Sequence, residues 1–284
     1  MSQAVPTIRV QNVRQNRLQH KLYFFGALAV LLVVVALFSE QLCPYDPYLQ
    51  DMSLTKAAPS VQHLLGTDRY GRDMLSRVIA GSKTSIFSTL LLVSFITVLG
   101  SFIGIICAWG GKWMDTVLMR LSDMFLAFPG LVFALAVAAV LGGGVHNAIL
   151  ALAAISWPKY ARLARSQTLA LQSADFMQAA RMAGSSNFQL IYRHVLPNIA
   201  GPILVTAMLD IGTMMMELAG LSFLGLGARP PVPEWGSMMS DTRNLLSTQP
   251  WVTLSPGFAI FISVMIFNLL GDTVRDYLDP KNRR

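Results

Sequence analysis

Long apolar stretches alternate with shorter polar ones along this chain, and their lengths set the first expectation. A helix needs roughly 20 mostly apolar residues to cross a hydrocarbon layer about 30 Å thick. Residues 22–39 and 84–111 contain no charged side chain and are long enough to cross. Residues 124–157 are also without charge but too long for one crossing. Gly142-Gly143-Gly144 interrupts them, which predicts two helices joined by a tight turn. A fifth span is expected over 199–221 despite Asp210 and Glu217, and a sixth over 254–270. The pattern predicts an all-α, polytopic membrane protein with six transmembrane helices and both termini on one side.

Composition strengthens that picture. The 284 residues are 54% hydrophobic and only 13% charged, with a mean hydropathy of +0.51, far from the values of a soluble domain. Lys and Arg near span ends mark the cytoplasmic side. Arg9, Arg14, Arg17 and Lys21, then Lys112 and Arg120, then Lys159, Arg162, Arg165, Arg181 and Arg193, then Arg275, Lys281, Arg283 and Arg284 all fall on the face of the termini, and they are most of the 22 basic residues. That face is expected to be cytoplasmic. The net charge of +7 reads as topology information, not as a nucleic-acid footprint. The first apolar run exceeds the roughly 7–15 residues of a signal-peptide core and lacks a small-x-small cleavage site, so an uncleaved first span is expected. Cys43 and Cys107 suggest neither a disulfide nor a metal pair.

No internal repeat is evident. One membrane domain is expected over 22–271, between a cytoplasmic N-terminal segment, 1–21, and a cytoplasmic tail, 272–284. Two long exterior loops interrupt it, about 40–83 and 223–251. In the first, the charged stretch 69–77 predicts a short amphipathic helix on the membrane face. In the second, Pro230, Pro231 and Pro233 predict an extended, stiff loop.

The cytoplasmic segment 175–197 carries the most information. Asp175 is expected to cap a short helix, Gly184 to end it in a left-handed conformation, and Ser185 or Ser186 to cap a second helix. Ala179, Ala180 and Ala183 leave the first helix with little bulk on one side, which suits the close approach of another protein. The segment resembles the cytoplasmic loop of the permeases of type I ATP-binding-cassette importers, Glu-Ala-Ala-x3-Gly-x9-Ile-x-Leu-Pro. Here Gln178-Ala179-Ala180, Gly184, His194 and Leu196-Pro197 keep the spacing, with Gln178 in place of Glu and His194 in place of Ile. The resemblance implies a type I permease fold in the bacterial inner membrane, with this loop as the coupling helix seated in a cleft of an ATPase. It also implies the partners: a second homologous permease, two ATPase subunits that bind ATP and Mg, and a periplasmic or lipid-anchored substrate-binding protein. No cofactor is expected in this chain.

Further stretches resemble the dipeptide, oligopeptide and nickel subfamily: 63–77, with Gly66-Thr67-Asp68 and Gly71-Arg72-Asp73; 221–227 followed by Pro233-Glu234-Trp235-Gly236; and 268–280, with Asn268, Gly271-Asp272 and Asp279-Pro280. Asp210-Ile211-Gly212 followed by Met214, Met215 and Met216 is more similar to the nickel-type permeases, which makes a chelated transition metal the expected cargo and short peptides the alternative. Thioethers offer soft metal contacts, but nickel prefers imidazole and carboxylate donors and Met also serves as packing. Asp210 and Glu217 fall on nearly the same helix face. Acids at such depth face a cavity or a partner, so they either line the pathway or hold the assembly together. Asp123 and His146 are weaker candidates near the membrane interfaces. Arg69, Arg72 and Glu234 are expected to meet the binding protein.

No catalytic constellation is present. Gly81-Ser82-Lys83-Thr84 lacks the spacing of a phosphate loop, so the chain is expected to be a permease and not an enzyme. An ion-gradient-driven secondary transporter is the rival class, yet the paired halves common in such proteins are not visible. A membrane anchor leaves the in-membrane acids unexplained.

Overall fold

The computed structural model describes residues 5–278, with side chains from Arg17 onward. Arg9, Arg14, Lys281, Arg283, Arg284 and the Asp279-Pro280 motif lie outside the described side chains. Regular structure among the described residues is helical, apart from an isolated bridge between Thr67 and Asp73. In chain order the helices are α1 (Val5–Leu37), α2 (Ser39–Leu42), α3 (Met74–Trp109), α4 (Lys112–Leu126), α5 (Gly130–Val140), α6 (Val145–Gln172), α7 (Asp175–Met182), α8 (Asn187–Leu190), α9 (Leu196–Phe223), α10 (Trp235–Thr242) and α11 (Pro250–Leu278).

Four of the described helices are long and apolar enough to cross a membrane: Arg17–Leu37, Met74–Trp109, Asn187–Phe223 and Pro250–Leu278. A fifth arises if α4 and α5, bent by 93°, form one broken span. The difference from the expected six lies in 112–172. Gly142, Gly143 and Gly144 all have positive φ and end α5 where the turn was expected. A second break at 127–129, where Pro129 precedes the first residue of α5, leaves that helix only 11 residues long. The expected fourth span lies within α6, whose second half carries Lys159, Arg162 and Arg165 and is too polar to count as apolar throughout.

The chain forms two compact units, Met1–Phe87 with Met208–Arg284, and Ser88–Ala207. In the first, α1 packs against α11. Ala29 and Ala36 are buried on one stripe of α1, while Val30, Leu31, Val34 and Leu37 are exposed, as expected of a helix that turns its bulk to lipid and its small residues to its neighbour. A second close crossing joins α9 to α11. A Cβ on Gly212 would strike Asn268, and one on Gly271 would lie 2.9 Å from Leu209 Cδ2.

In the second unit, α3 meets α6 through Gly100 and Gly104, one turn apart. A Cβ on Gly100 would lie 2.5 Å from the Trp157 carbonyl oxygen and 2.6 Å from Tyr160 Cβ; one on Gly104 would strike the Ala161 carbonyl. This Gly-x-x-x-Gly contact lets two backbones approach without a hydrophobic driving force between helices in lipid. Two ion pairs then tie α4 to α6, Arg165 to Asp115 through two nitrogens and Arg162 to Asp123.

Candidate functional site

Segment 175–197 has the expected helix, glycine turn, helix form, with one correction at its start. Ala174, in extended conformation, occupies the N-cap position of α7 and Asp175 is the first helical residue. Its carboxylate in the first turn and Arg181 in the last both complement the helix dipole. Gly184 has φ +82, and the turn is closed by Gly184 N–H to the Arg181 carbonyl (3.0 Å) and Ser185 N–H to the Ala180 carbonyl (3.1 Å). Ser186 caps α8 reciprocally with Gln189: Gln189 N–H donates to Ser186 Oγ (3.3 Å) and Ser186 N–H to Gln189 Oε1 (2.9 Å). A π turn over Ile191–Val195 joins α8 to α9. It ends two residues before Pro197, which has no N–H to continue the α ladder.

The surface of this loop follows from what anchors it. Met177, Leu190 and Val195 are buried, and the Arg181 guanidinium lies 5.8 Å from the centre of the Trp109 ring. Gln178, Ala179, Gly184, Leu196 and Pro197 are left exposed, with Ala180 and His194 half-buried. No atom lies within 4 Å of where a Gly184 Cβ would stand. Around this low surface stand residues that the sequence pattern did not single out. Met182 is 88% exposed, and the Phe188 and Tyr192 rings, both exposed, stack 6.4 Å apart and 5° from parallel. Their spacing of four along one helix is the signal that would have found them.

On α9, Asp210 is 5% exposed and Glu217 is half-buried. The methionine run is divided. Met214 and Met215 join Ile211, Leu218 and Leu221 on the buried stripe, whereas Met216 is exposed, as 100° steps along a helix require. Met216 lines an apolar cavity of about 550 Å³ with Gly220, Phe223, Met239, Gly257 and Phe261. No group of three or more His, Cys, Asp or Glu among the described residues is arranged to hold a metal ion. Asp123 pairs with Arg162, and His146 borders a separate apolar cavity with Leu91, Phe95 and Ile149.

Of the three residues expected to meet a binding protein, two are buried. Stretch 69–77 is not an amphipathic helix: it turns at Gly71, φ +72, and becomes helical only at Met74. Asp68 organises the turn, accepting from Tyr70 N–H (2.8 Å), Arg72 N–H (3.1 Å) and Arg72 Nε (2.7 Å), with Arg77 Nε at 3.9 Å. Arg72 is therefore 4% exposed. Arg69 alone of the three remains accessible, pairing loosely with Asp241 at 3.7 Å. Glu234 is 3% exposed. It caps α10 by accepting from Gly236 N–H (2.9 Å) and Ser237 N–H (2.8 Å), and burial pushes its carboxyl above the ordinary range despite those bonds. The proline loop beside it folds into a turn closed by Val232 N–H to the Arg229 carbonyl (3.2 Å) instead of extending.

Residues 100–284, well over half of the chain, match the profile of the binding-protein-dependent transport system inner membrane components. The chain belongs to that family. As one of these permeases it is 42% identical over 270 residues to the glutathione transport system permease protein GsiD of Escherichia coli, covering 94% of this chain and 89% of the relative. It is 38% identical over 264 residues to the dipeptide transport system permease protein DppC of Alkalihalophilus pseudofirmus, covering 93% and 87%. Among solved structures, the inward-facing MetNI methionine ABC transporter superposes with a TM-score of 0.58 over 72% of this chain and 98% of that one, at 18% identity. An amino acid ABC transporter with histidines gives 0.54 over 70% and 92%, also at 18%. The shared fold is that of type I importer permeases, and this permease is a subunit of an ATP-binding-cassette importer, a transport component and not a catalyst. Its Gly81-Ser82-Lys83-Thr84 stretch lies inside α3, with Lys83 paired to Glu40 at 2.7 Å.

Proposed function

We propose that this permease carries short peptides inward, in partnership with a second permease, two ATPases that bind ATP and Mg, and a substrate-binding protein. The observation that carries the cargo is that the glutathione and dipeptide permeases each align over more than nine-tenths of the chain. The nickel cargo expected from the Asp-Ile-Gly and methionine pattern draws no such support, and burial of Met214 and Met215 favours their packing role. Carboxylates suit peptides as well, because they attract a protonated amino terminus.

On this reading segments 1–21, 175–197 and 272–284 face the cytoplasm, and 40–83 and 223–251 face outward. Asp175 to Pro197 seats in an ATPase cleft, with Gln178, Ala179, Ala180 and Gly184 supplying the low contact surface and His194, Leu196 and Pro197 its edge. ATP-driven closure of the two ATPases then moves α9, which begins beside that loop and carries Asp210 and Glu217 toward the pathway. Growth decides the cargo. Deleting the gene should prevent an amino-acid auxotroph from growing on dipeptides and leave cellular nickel unchanged in chelator-treated medium. Normal dipeptide growth with a fall in nickel would reverse the assignment.

A further inference from the structure

The apolar recess of about 550 Å³ stands between α9, α10 and α11, and each helix lines it with a glycine: Gly220, Gly236 and Gly257. Backbone conformation does not call for glycine at 220 or 257, since neither has positive φ. Packing does not call for it either. A Cβ on Gly220 would meet nothing within 4 Å, and one on Gly257 would touch only the flexible end of Met239, at 3.3 Å. Glycine is a poor helix former, so these two positions keep a space open. At Gly236 the contact is close, a Cβ there lying 2.4 Å from the Ala219 carbonyl oxygen. Through Gly236 and Met239, α10 therefore touches both α9 and α11 and walls the gap between them. Met216 and Met239 add unbranched, adaptable thioethers to the lining, and Phe223 and Phe261 add rings.

The surroundings separate the occupants that an apolar recess could take. Thr213 and Met216 are exposed on α9, and the half-buried Glu217 lies one turn from Thr213 and from Gly220. A face turned to acyl chains would not keep a carboxylate beside it. A helix of a second permease would need a groove running on between α9 and α11, and α10 closes that course. A small apolar group attached to something polar fits both conditions. Ligand pockets have this character, with volumes of about 300–1,000 Å³, apolar walls and a few polar groups at the side. Resting on the peptide-import reading above, we infer that the recess receives an apolar side chain of the cargo peptide, beside the carboxylate of Glu217, with Gly220 and Met239 setting the size of side chain accepted. The permease then selects peptides with bulky apolar residues, in addition to any selection by the binding protein.

The test measures uptake of dileucine, ditryptophan and dialanine into proteoliposomes holding the complete importer, with one binding protein throughout so that its own preference cancels between variant and parent. Gly220→Leu fills the recess and should lower the ratio of dileucine to dialanine uptake about tenfold. Met239→Ala enlarges it and should raise the ratio of ditryptophan to dialanine uptake, a change of opposite sign that a general loss of fold does not produce. A ratio that stays at the parent value in either variant overturns the assignment, and so does an equal loss of all three peptides. In the unsubstituted complex during turnover, a dipeptide carrying photoreactive leucine should attach to Met216, Met239 or Phe261. Attachment only elsewhere in this chain, or only to the second permease, also overturns it. If the unsubstituted complex imports no dipeptide at all, the peptide-import reading falls and this inference with it; import by the parent with unmoved ratios in the variants removes this inference alone.

Discussion

In the loop at 175–197, apolar Met177 and Leu190 anchor the turn from beneath, and Gln178, Ala179 and Gly184 form a low exposed surface beside exposed Met182, Phe188 and Tyr192. In the excursion at 43–73 the buried anchors are charged instead. Asp68, Arg72 and Asp73 are buried with Arg77 of α3, Asp68 holding the two arginines and Asp73 accepting from Ser76, while Tyr48, Leu49 and Met52 are exposed. Both segments join apolar helices and both turn on glycines with positive φ. A short helix satisfies its own backbone groups, so its side chains are free to form a surface. An irregular excursion has to satisfy its backbone with side chains, and the charged residues are consumed in doing so.

The largest effect that sharpens this contrast comes from Asp68. Asp68→Ala leaves the guanidinium groups of Arg72 and Arg77 buried without their carboxylate and should cost about 3–5 kcal/mol in unfolding of the detergent-solubilised complex. Arg69→Ala, on the exposed side of the same turn, should cost less than about 1 kcal/mol. Equal losses would mean that the excursion is not framed by buried charge.

A smaller stability effect with a larger functional one is expected at Gly184. Its surroundings are open, so Gly184→Val pays only the strain of a left-handed β-branched residue, about 1–2 kcal/mol. Uptake should nevertheless fall to background, and ATPase subunits should no longer co-purify in full amount. Full transport by Gly184→Val would detach the loop from docking.

The smallest effect concerns Glu234. Its folded carboxyl titrates above the ordinary value of 4.5, so the folded state holds its proton more tightly than the unfolded chain does. Its contribution is fully present at acid pH, below that ordinary value, and is lost as pH rises through the folded value. Between about pH 5 and pH 8 the unsubstituted protein should therefore lose more stability than Glu234→Gln in parallel thermal unfolding. Matching slopes would place no protonation change at this carboxyl.

How legible these regions were in the sequence follows the same division. The apolar runs, the Gly142–Gly144 turn and the Gly184 turn with its Ser186 cap were readable, because each depends on local periodicity or on a conformation only glycine adopts cheaply. The burial of Arg72 and Glu234 was not, since their partners, Asp68 and the amides of α10, are defined only once the excursion closes. The break before Pro129 was missed because the run around it is uniformly apolar. The Gly100 and Gly104 contact was legible in principle as Gly-x-x-x-Gly, but its partner, the Trp157 to Ala164 face of α6, emerges only on packing. The methionine run misled for a helical reason: three consecutive residues point in three directions, and Met214 and Met215 went to the core.

The account rests on 175–197 meeting the ATPase while 43–73 lies on the other side of the membrane. Photo-crosslinkers placed singly at Met182 and at Val61, the most exposed large apolar side chains of the two segments, test it in one experiment on the intact complex in membranes. The account predicts that position 182 crosslinks to an ATPase subunit and position 61 never does. An ATPase crosslink from position 61, or none from position 182 in a complex that hydrolyses ATP normally, would contradict it.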